Sequence, residues 1–283
     1  MNRVFAGIVS FNPDIDRLRQ NIESISPQVE EVVIFDNGSR EQQHIIELFP
    51  KIIFLKSKEN VGIAVALNRM LEWGEENSYQ WMISLDQDSV CHERFVEEMR
   101  PYLTITENIG IAAPVIVDRN IGVVGHNPEN KWSEVRTCIT SGSFNNITAW
   151  RNVDGYDESM FIDSVDFEYC YRLRKNGYKV IQVREIQLLH ELGDSNKKRF
   201  LFWHVDVNGH SAFRKYYIAQ NNVYYPLKHH LWLHFIRGNF RNLWLLIVVT
   251  LYEDNKKEKR KAIRRGWRDG TYQGFHKKKG VYK

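Results

Sequence analysis

Between Val4 and Leu85 the apolar positions alternate between short unbroken runs and stretches with helical spacing. Residues 4–10 form an apolar run ended by Phe11-Asn12-Pro13, which predicts a buried strand. Asp14 is placed to cap a helix whose apolar residues Leu18, Ile22 and Ile25 share one face. Residues 32–35 are a second apolar strand, stopped by Asp36-Asn37-Gly38-Ser39. A helix with Ile45, Ile46 and Leu48 follows, then a strand at 52–55. Asn60-Val61-Gly62 opens a helix carrying Ala66, Leu67, Met70 and Leu71, and residues 81–85 are a fourth strand. Strand and helix alternating at this spacing predict βαβ units and a mainly parallel sheet of an α/β fold. Ligands of such sheets bind at the carboxyl ends of the strands, where Asp36-Asn37 and Asp86-Gln87-Asp88 fall. After residue 110 the pattern turns irregular and aromatic-rich, as expected of an acceptor-facing half. Residues 166–178 read as a helix with Gly177 near its C-cap, followed by a strand at 179–183.

With 283 residues the chain is long enough for one large α/β domain with an appendage. Two parts are expected, residues 1–225 as the main domain and 226–283 as a helical, aromatic and basic extension. The formal charge of +4 is mild, but most of the excess sits near the C-terminus. Cys91, Cys138 and Cys170 are widely spaced without a CxxC pair, which argues against a disulfide framework or a thiolate zinc site and fits a reducing cytoplasm. No signal peptide is expected from the first residues. The longest late apolar run, 243–252, is about half of the roughly 20 residues needed to span a bilayer.

Candidate chemistry concentrates at four places. Asp86 and Asp88, one residue apart after a strand, can present hard oxygen ligands to a divalent cation holding a diphosphate, although an isolated pair of this kind is more often two solvated turn residues. Asp36 can accept from a pyrimidine N–H, with Asn37-Gly38 making the turn; a plain turn capped by Ser39 is the equal alternative. Asn60-Val61-Gly62 can set a helix N-terminus near a phosphate, and more often simply starts a helix. In Asp163-Ser164-Val165-Asp166-Phe167-Glu168, helix capping accounts for one or two acids but not for three carboxylates beside Phe161. One of them can take a proton from an attacking sugar hydroxyl. His190 is a competent third metal ligand, though a lone histidine is usually structural. Ser141-Gly142-Ser143 suits a loop close to a donor sugar or a plain connection. Arg172 sits at helical spacing from Glu168, which favours structural pairing.

In order along the chain, Val9-Ser10-Phe11-Asn12, Asp36-Asn37-x-Ser39, Asn60-x-Gly62, Asp86-x-Asp88 and Asp163-x-x-Asp166-x-Glu168-x-x-x-Arg172 resemble the family 2 glycosyltransferases. The resemblance is greatest to their bacterial rhamnosyltransferase branch, through His190-x-x-Gly193-Asp194, Arg214-Lys215-Tyr216-Tyr217 with Asn221, and Arg265-Gly266-x-x-Asp269-Gly270. It covers nearly the whole chain and implies a GT-A fold and an inverting transfer of a sugar, rhamnose from dTDP-rhamnose being favoured and UDP-hexose donors the alternative. It further implies donor contacts from Ser10, Asn12, Asp36, Asn37, Asn60, Gly62, Asp86 and Gln87, and Mg²⁺ or Mn²⁺ on Asp86, Asp88 and His190. Asp166 or Asp163 is then the catalytic base, and Glu168, Arg172, Ser141 and Gly142 lie toward the acceptor. Val165 departs from the family's usual acid before the base, and Gln220 from its usual arginine.

A nucleotidyltransferase would want a glycine-rich basic loop after the first strand, which Phe11-Asn12-Pro13-Asp14 is not. A non-catalytic membrane-binding module would have no use for Asp86, Asp88 and Asp166 together. In the C-terminal stretch Trp232, Phe235, Phe240, Trp244 and Leu245 alternate with His229, His230, Arg237 and Arg241, and a basic run begins at Lys256. Such a stretch suits an anionic membrane interface or a core helix with a solvated basic end. No nucleic-acid motif accompanies it. The expected partners are a nucleotide-sugar and a saccharide or lipid-linked oligosaccharide acceptor in surface polysaccharide synthesis (O-antigen or capsule), at the inner face of the cytoplasmic membrane.

Overall fold

The computed structural model describes residues 2–118, 122–189, 196–200, 203–207 and 209–276. They fall into two compact units, Met1–Phe161 with Val165–Glu191, and Ile162–Ser164 with Leu192–Lys283.

The first unit is built on the alternation seen in the sequence. Strands β1 (Val4–Ser10), β2 (Glu31–Asn37), β3 (Ile53–Ser57) and β4 (Trp81–Asp86) are parallel, with β1 between β2 and β4. Helices α1 (Ile15–Ile25), α2 (Gln42–Leu48) and α3 (Ile63–Glu76) connect them. The Asp14 side chain caps α1 by accepting from the Arg17 amide at 3.0 Å. Beyond residue 110 the expected irregularity gives way to a strand, β5 (Ile109–Asp118), buried almost throughout. Pro114 disguises it, because a proline cannot donate to a ladder. The sheet accommodates it with a register shift between Pro114 and Val115.

Four further strands complete this sheet: β6 (Gly122–Val124), β7 (Trp132–Glu134), β8 (Phe144–Asn146) and β9 (Lys179–Leu189). Their order is β3-β2-β1-β4-β8-β5-β9-β7, with β6 paired to β5. β8 runs antiparallel to both β4 and β5, while β9 is parallel to β5 and longer than its apolar start suggests. Helices α4 (Phe95–Met99), α5 (Ile147–Asn152) and α6 (Val165–Lys175) pack around it. Gly177, at φ +81°, lies just past α6, and the amides of Gly177 and Tyr178 return to the carbonyls of Arg174 and Leu173.

The second unit holds an antiparallel hairpin, β10 (Asn196–Phe200) and β11 (Trp203–Val207), and three helices, α7 (Ala212–Lys228), α8 (Trp232–Tyr252) and α9 (Lys256–His276). The boundary expected between residues 225 and 226 lies within α7. α9 rests flush on α7: a Cβ at Gly266 would stand 2.1 Å from the Tyr216 carbonyl oxygen, and one at Gly270 2.3 Å from that of Gln220. Ile263, Ala219 and Val249 are buried together in this unit. Beside them Glu253 is bound by Lys215 at 2.5 Å and Lys259 at 2.8 Å, all three nearly inaccessible to solvent. Asp269 accepts from the Tyr216 hydroxyl at 3.0 Å. The basic run is therefore a packed helix with one of its lysines inside. Among the described residues no helix is long and apolar enough to cross a membrane.

Candidate active site

In the parallel register Ser10 stands beside Asp36 and Val9 beside Asp86, so three neighbouring strands deliver polar residues to one sheet edge. Asp36 is 1% exposed. Its Oδ1 accepts from the Ser39 amide at 2.9 Å and from the Gln42 side chain at 2.5 Å. Oδ2 is buried without a hydrogen-bond partner among the described residues, as are Ser10 Oγ and Asn21 Oδ1. Unpaired buried polar atoms are costly. Here they cluster at the end of the sheet where this fold type binds ligands.

Short-range bonds hold the surrounding loops. Asn12, at φ +45°, accepts at its side chain from the Arg40 amide (3.0 Å), and its own amide donates to Ser39 Oγ (2.8 Å). Asn37 accepts from the Val61 amide at 2.8 Å and donates to the Gly62 carbonyl at 3.4 Å. Asn60 accepts from the Gly62 amide at 3.0 Å. Gly62, at φ +88°, lies so close to Phe161 that a Cβ would stand 2.7 Å from its carbonyl oxygen. That oxygen accepts from the Ile63 amide at 2.9 Å, so the first amide of α3 is already occupied.

The turn after β4 is equally braced. The Asp86 carbonyl accepts from Asn21 Nδ2 at 2.7 Å and from the Ser89 amide at 3.1 Å. Gln87 Oε1 accepts from the Phe11 amide at 2.8 Å. The Ser89 and Ser141 hydroxyls are 2.7 Å apart, and the Gly142 amide donates to the Ser84 carbonyl at 2.7 Å. Ser141 is thus buried as a brace for the turn. Asp88 is exposed and Asp86 half-buried. Two hard carboxylates on a rigid turn fit a hard cation that takes its remaining oxygens from phosphate and water. Among the described residues no third His, Cys, Asp or Glu joins a metal-holding group. His190 lies outside the described residues, as do Gly193 and Asp194.

At the start of α6, Asp166 is half-buried and its Oδ1 accepts from the Phe167 amide at 2.9 Å. Its charge is felt at Cys138, whose thiol is pushed up by its hydrogen bond to Cys170 (Sγ–Sγ 3.8 Å), by burial and by the charges of Cys170 and Asp166. Glu168 is fully buried and binds Arg172 Nε at 2.8 and 2.9 Å; Arg172 also donates to the Val153 carbonyl. This pair is interior, as its helical spacing suggested. In the second unit Asp163, at φ +66°, is gripped by Arg214 through two contacts of 3.0 and 3.3 Å. Asn221 donates to the carbonyls of Ile162 and Asp163 at 2.8 and 2.7 Å.

The family model described as Glycosyl transferase family 2 matches residues 6–153, from β1 through α5. The chain belongs to that family. Residues in this glycosyltransferase's matched span include every donor-side position named above, from Ser10 to Gln87. Over 249 residues it is 28% identical to dTDP-rhamnosyl transferase RfbF of Shigella flexneri, covering 81% of this chain and 82% of that one. A crystal structure of GalNAc-T7 with UDP, GalNAc and Mn²⁺ superposes with a TM-score of 0.58 at 14% identity, covering 96% of this chain and 57% of that one. S. aureus TarS 1-349 gives a TM-score of 0.58 at 11% identity over 98% and 92% of the two chains. These neighbours share the GT-A fold, so the glycosyltransferase is GT-A, with a mostly parallel central sheet flanked by helices.

Sequence reading passed over Asn21 and Gln42. Asn21 had a visible signal, an amide on the apolar face of α1 between Leu18, Ile22 and Ile25. Gln42 had none, since one glutamine at a helix start is unremarkable until Asp36 and Ser57 are seen around it. Arg214 and Asn221 carry no signal in the sequence for their hold on residues 162–163.

Proposed function

We propose that this glycosyltransferase moves rhamnose, with inversion, from dTDP-rhamnose to a saccharide acceptor carried on a lipid at the cytoplasmic face of the membrane. The observation that carries the donor reading is the bare Oδ2 of buried Asp36 beside the bare hydroxyl of Ser10. A carboxylate oxygen there is a fitting acceptor for the imide N–H of thymine or uracil. The likeness to a dTDP-rhamnosyl transferase favours thymine, and a UDP-hexose donor is the alternative. Asn12, Asn37, Asn60, Gly62, Asp86 and Gln87 shape the rest of the donor pocket.

Asp86 and Asp88, with His190, would hold Mg²⁺ or Mn²⁺, whose chemistry is to neutralise charge on the diphosphate. Asp166 takes the proton of the acceptor hydroxyl as its oxygen bonds to the anomeric carbon, and the bond to the nucleoside diphosphate breaks on the opposite side. Asp163, held by Arg214, is the alternative base. Ser141 and Gly142 support the metal-binding turn, and Glu168 with Arg172 supports the helix that presents Asp166. Residues 226–283 act as an accessory to the transferase domain.

Thermal shifts with dTDP, UDP, GDP and CDP in the presence of Mn²⁺, repeated on Asp88→Ala, test this reading. Stabilisation by dTDP above the others, lost in the variant, is the expected result. A larger response to UDP would move the donor to the hexoses, and no response to any nucleotide would overturn the reading.

A further inference from the structure

We propose that the outward face of α8 is the surface by which the protein docks on an anionic lipid bilayer, the helix lying in the plane of the interface. This deepens, and rests on, the membrane-surface reading of the acceptor. Leu233, Ile236, Phe240, Leu243, Ile247 and Leu251 are all exposed, Leu233 to 72% and Phe240 to 67%. At 100° per residue these six fall within an arc of about 80°. The opposite side is committed: Gly238 lies against the Asn222 carbonyl of α7, and Asn242 and Val249 are buried. Next to the apolar arc a groove of 310 Å³ opens, lined by Ile236, Asn239, Phe240, Leu243 and Trp267, with room for part of an acyl chain.

Charge decides the occupant. Arg237 and Arg241 are exposed and follow the arc around the helix. Leaving aside the buried Lys259 and Glu253, the lysines and arginines across residues 232–276 (237, 241, 256, 257, 260, 261, 264, 265 and 268) outnumber the acids Asp254, Glu258 and Asp269 by nine to three. A second copy seated on this face through a two-fold axis would oppose the same cationic border to itself. An anionic headgroup layer complements it while the acyl region takes the apolar arc. The helix does not qualify as a membrane span, so it lies on the bilayer rather than crossing it.

Flotation of the full chain with phosphatidylcholine vesicles containing phosphatidylglycerol, against phosphatidylcholine alone, tests the proposal. The wild type is expected to float with the anionic vesicles only. The double substitution Ile236→Ser with Phe240→Ser is expected to lower partition at least about tenfold. Arg237→Gln with Arg241→Gln should lower it several-fold and flatten its salt dependence. Both pairs are surface changes and should keep the thermal shift by dTDP, which separates docking from donor binding. Undiminished flotation of the serine variant would overturn α8 as the surface while leaving membrane docking intact. Absence of wild-type flotation would overturn both. A concentration-dependent dimer in sedimentation that the serine variant abolishes would assign the face to a second copy.

Discussion

Asp36 and Glu253 are both carboxylates withdrawn from water, and the protein treats them in opposite ways. Glu253 has each oxygen bound to a lysine ammonium, with Lys215 and Lys259 equally buried. Asp36 has only the neutral donors of Ser39 and Gln42, on one oxygen, and nothing described on the other. Burial costs either charge several kcal/mol unless it is compensated. Around Glu253 the compensation is internal and complete, so that group is architecture. Around Asp36 it is incomplete, as expected where a ligand completes it. Between these two carboxylates, the difference lies in how fully the buried oxygens are satisfied.

The largest effect is expected at a third carboxylate, Asp166. Asp166→Asn should lower transfer by about two to four orders of magnitude in a single-turnover assay while the nucleotide thermal shift persists. Next is the exchange of carboxylate for amide at Glu253. Glu253→Gln leaves two buried ammonium groups uncompensated and should cost about 3–5 kcal/mol in denaturant unfolding. The same exchange at Asp36 should barely move the unfolding midpoint of the free protein, because no cation is left behind. It should instead weaken dTDP binding by about tenfold in calorimetry, the worth of one hydrogen bond to a charged group. An equal loss of stability at both sites would end the distinction.

The smallest effect is a pH dependence. Burial works against the Glu253 charge, but hydrogen bonds and charge from Lys215 and Lys259 outweigh it and hold the carboxyl below its usual value. Its contribution is complete above the ordinary carboxyl value of about 4.3 and is lost as pH falls through the lowered folded value. The acid limb of wild-type stability should therefore be shallower in Glu253→Gln, which keeps the part due to Asp269.

Much of the first unit was legible because βαβ alternation writes itself into apolar runs, and β1 to β4 fall within a residue or two of their expected bounds. β5 was not, since its proline contradicts the usual composition of an interior strand. The site residues at the strand ends were legible as turn chemistry with a surplus of carboxylates. Their supports were not, because Asn21, Ser89 and Arg214 act through partners distant in sequence, and Gln42 is one unremarkable glutamine at a helix start. The same limit applies to the glycines of α9, whose spacing was noticed as a pattern but whose purpose requires the carbonyls of α7 to be in view.

The contact between Gly62 and Phe161 has a mechanical consequence. The loop that opens α3 shares a hydrogen bond and a steric fit with the residue from which the chain departs toward Asp163 and Asp166. A change of backbone at the one loop is therefore passed directly to the starting point of the other. Gly62 is thus a fixed point shared by two loops, and any side chain there would force them apart.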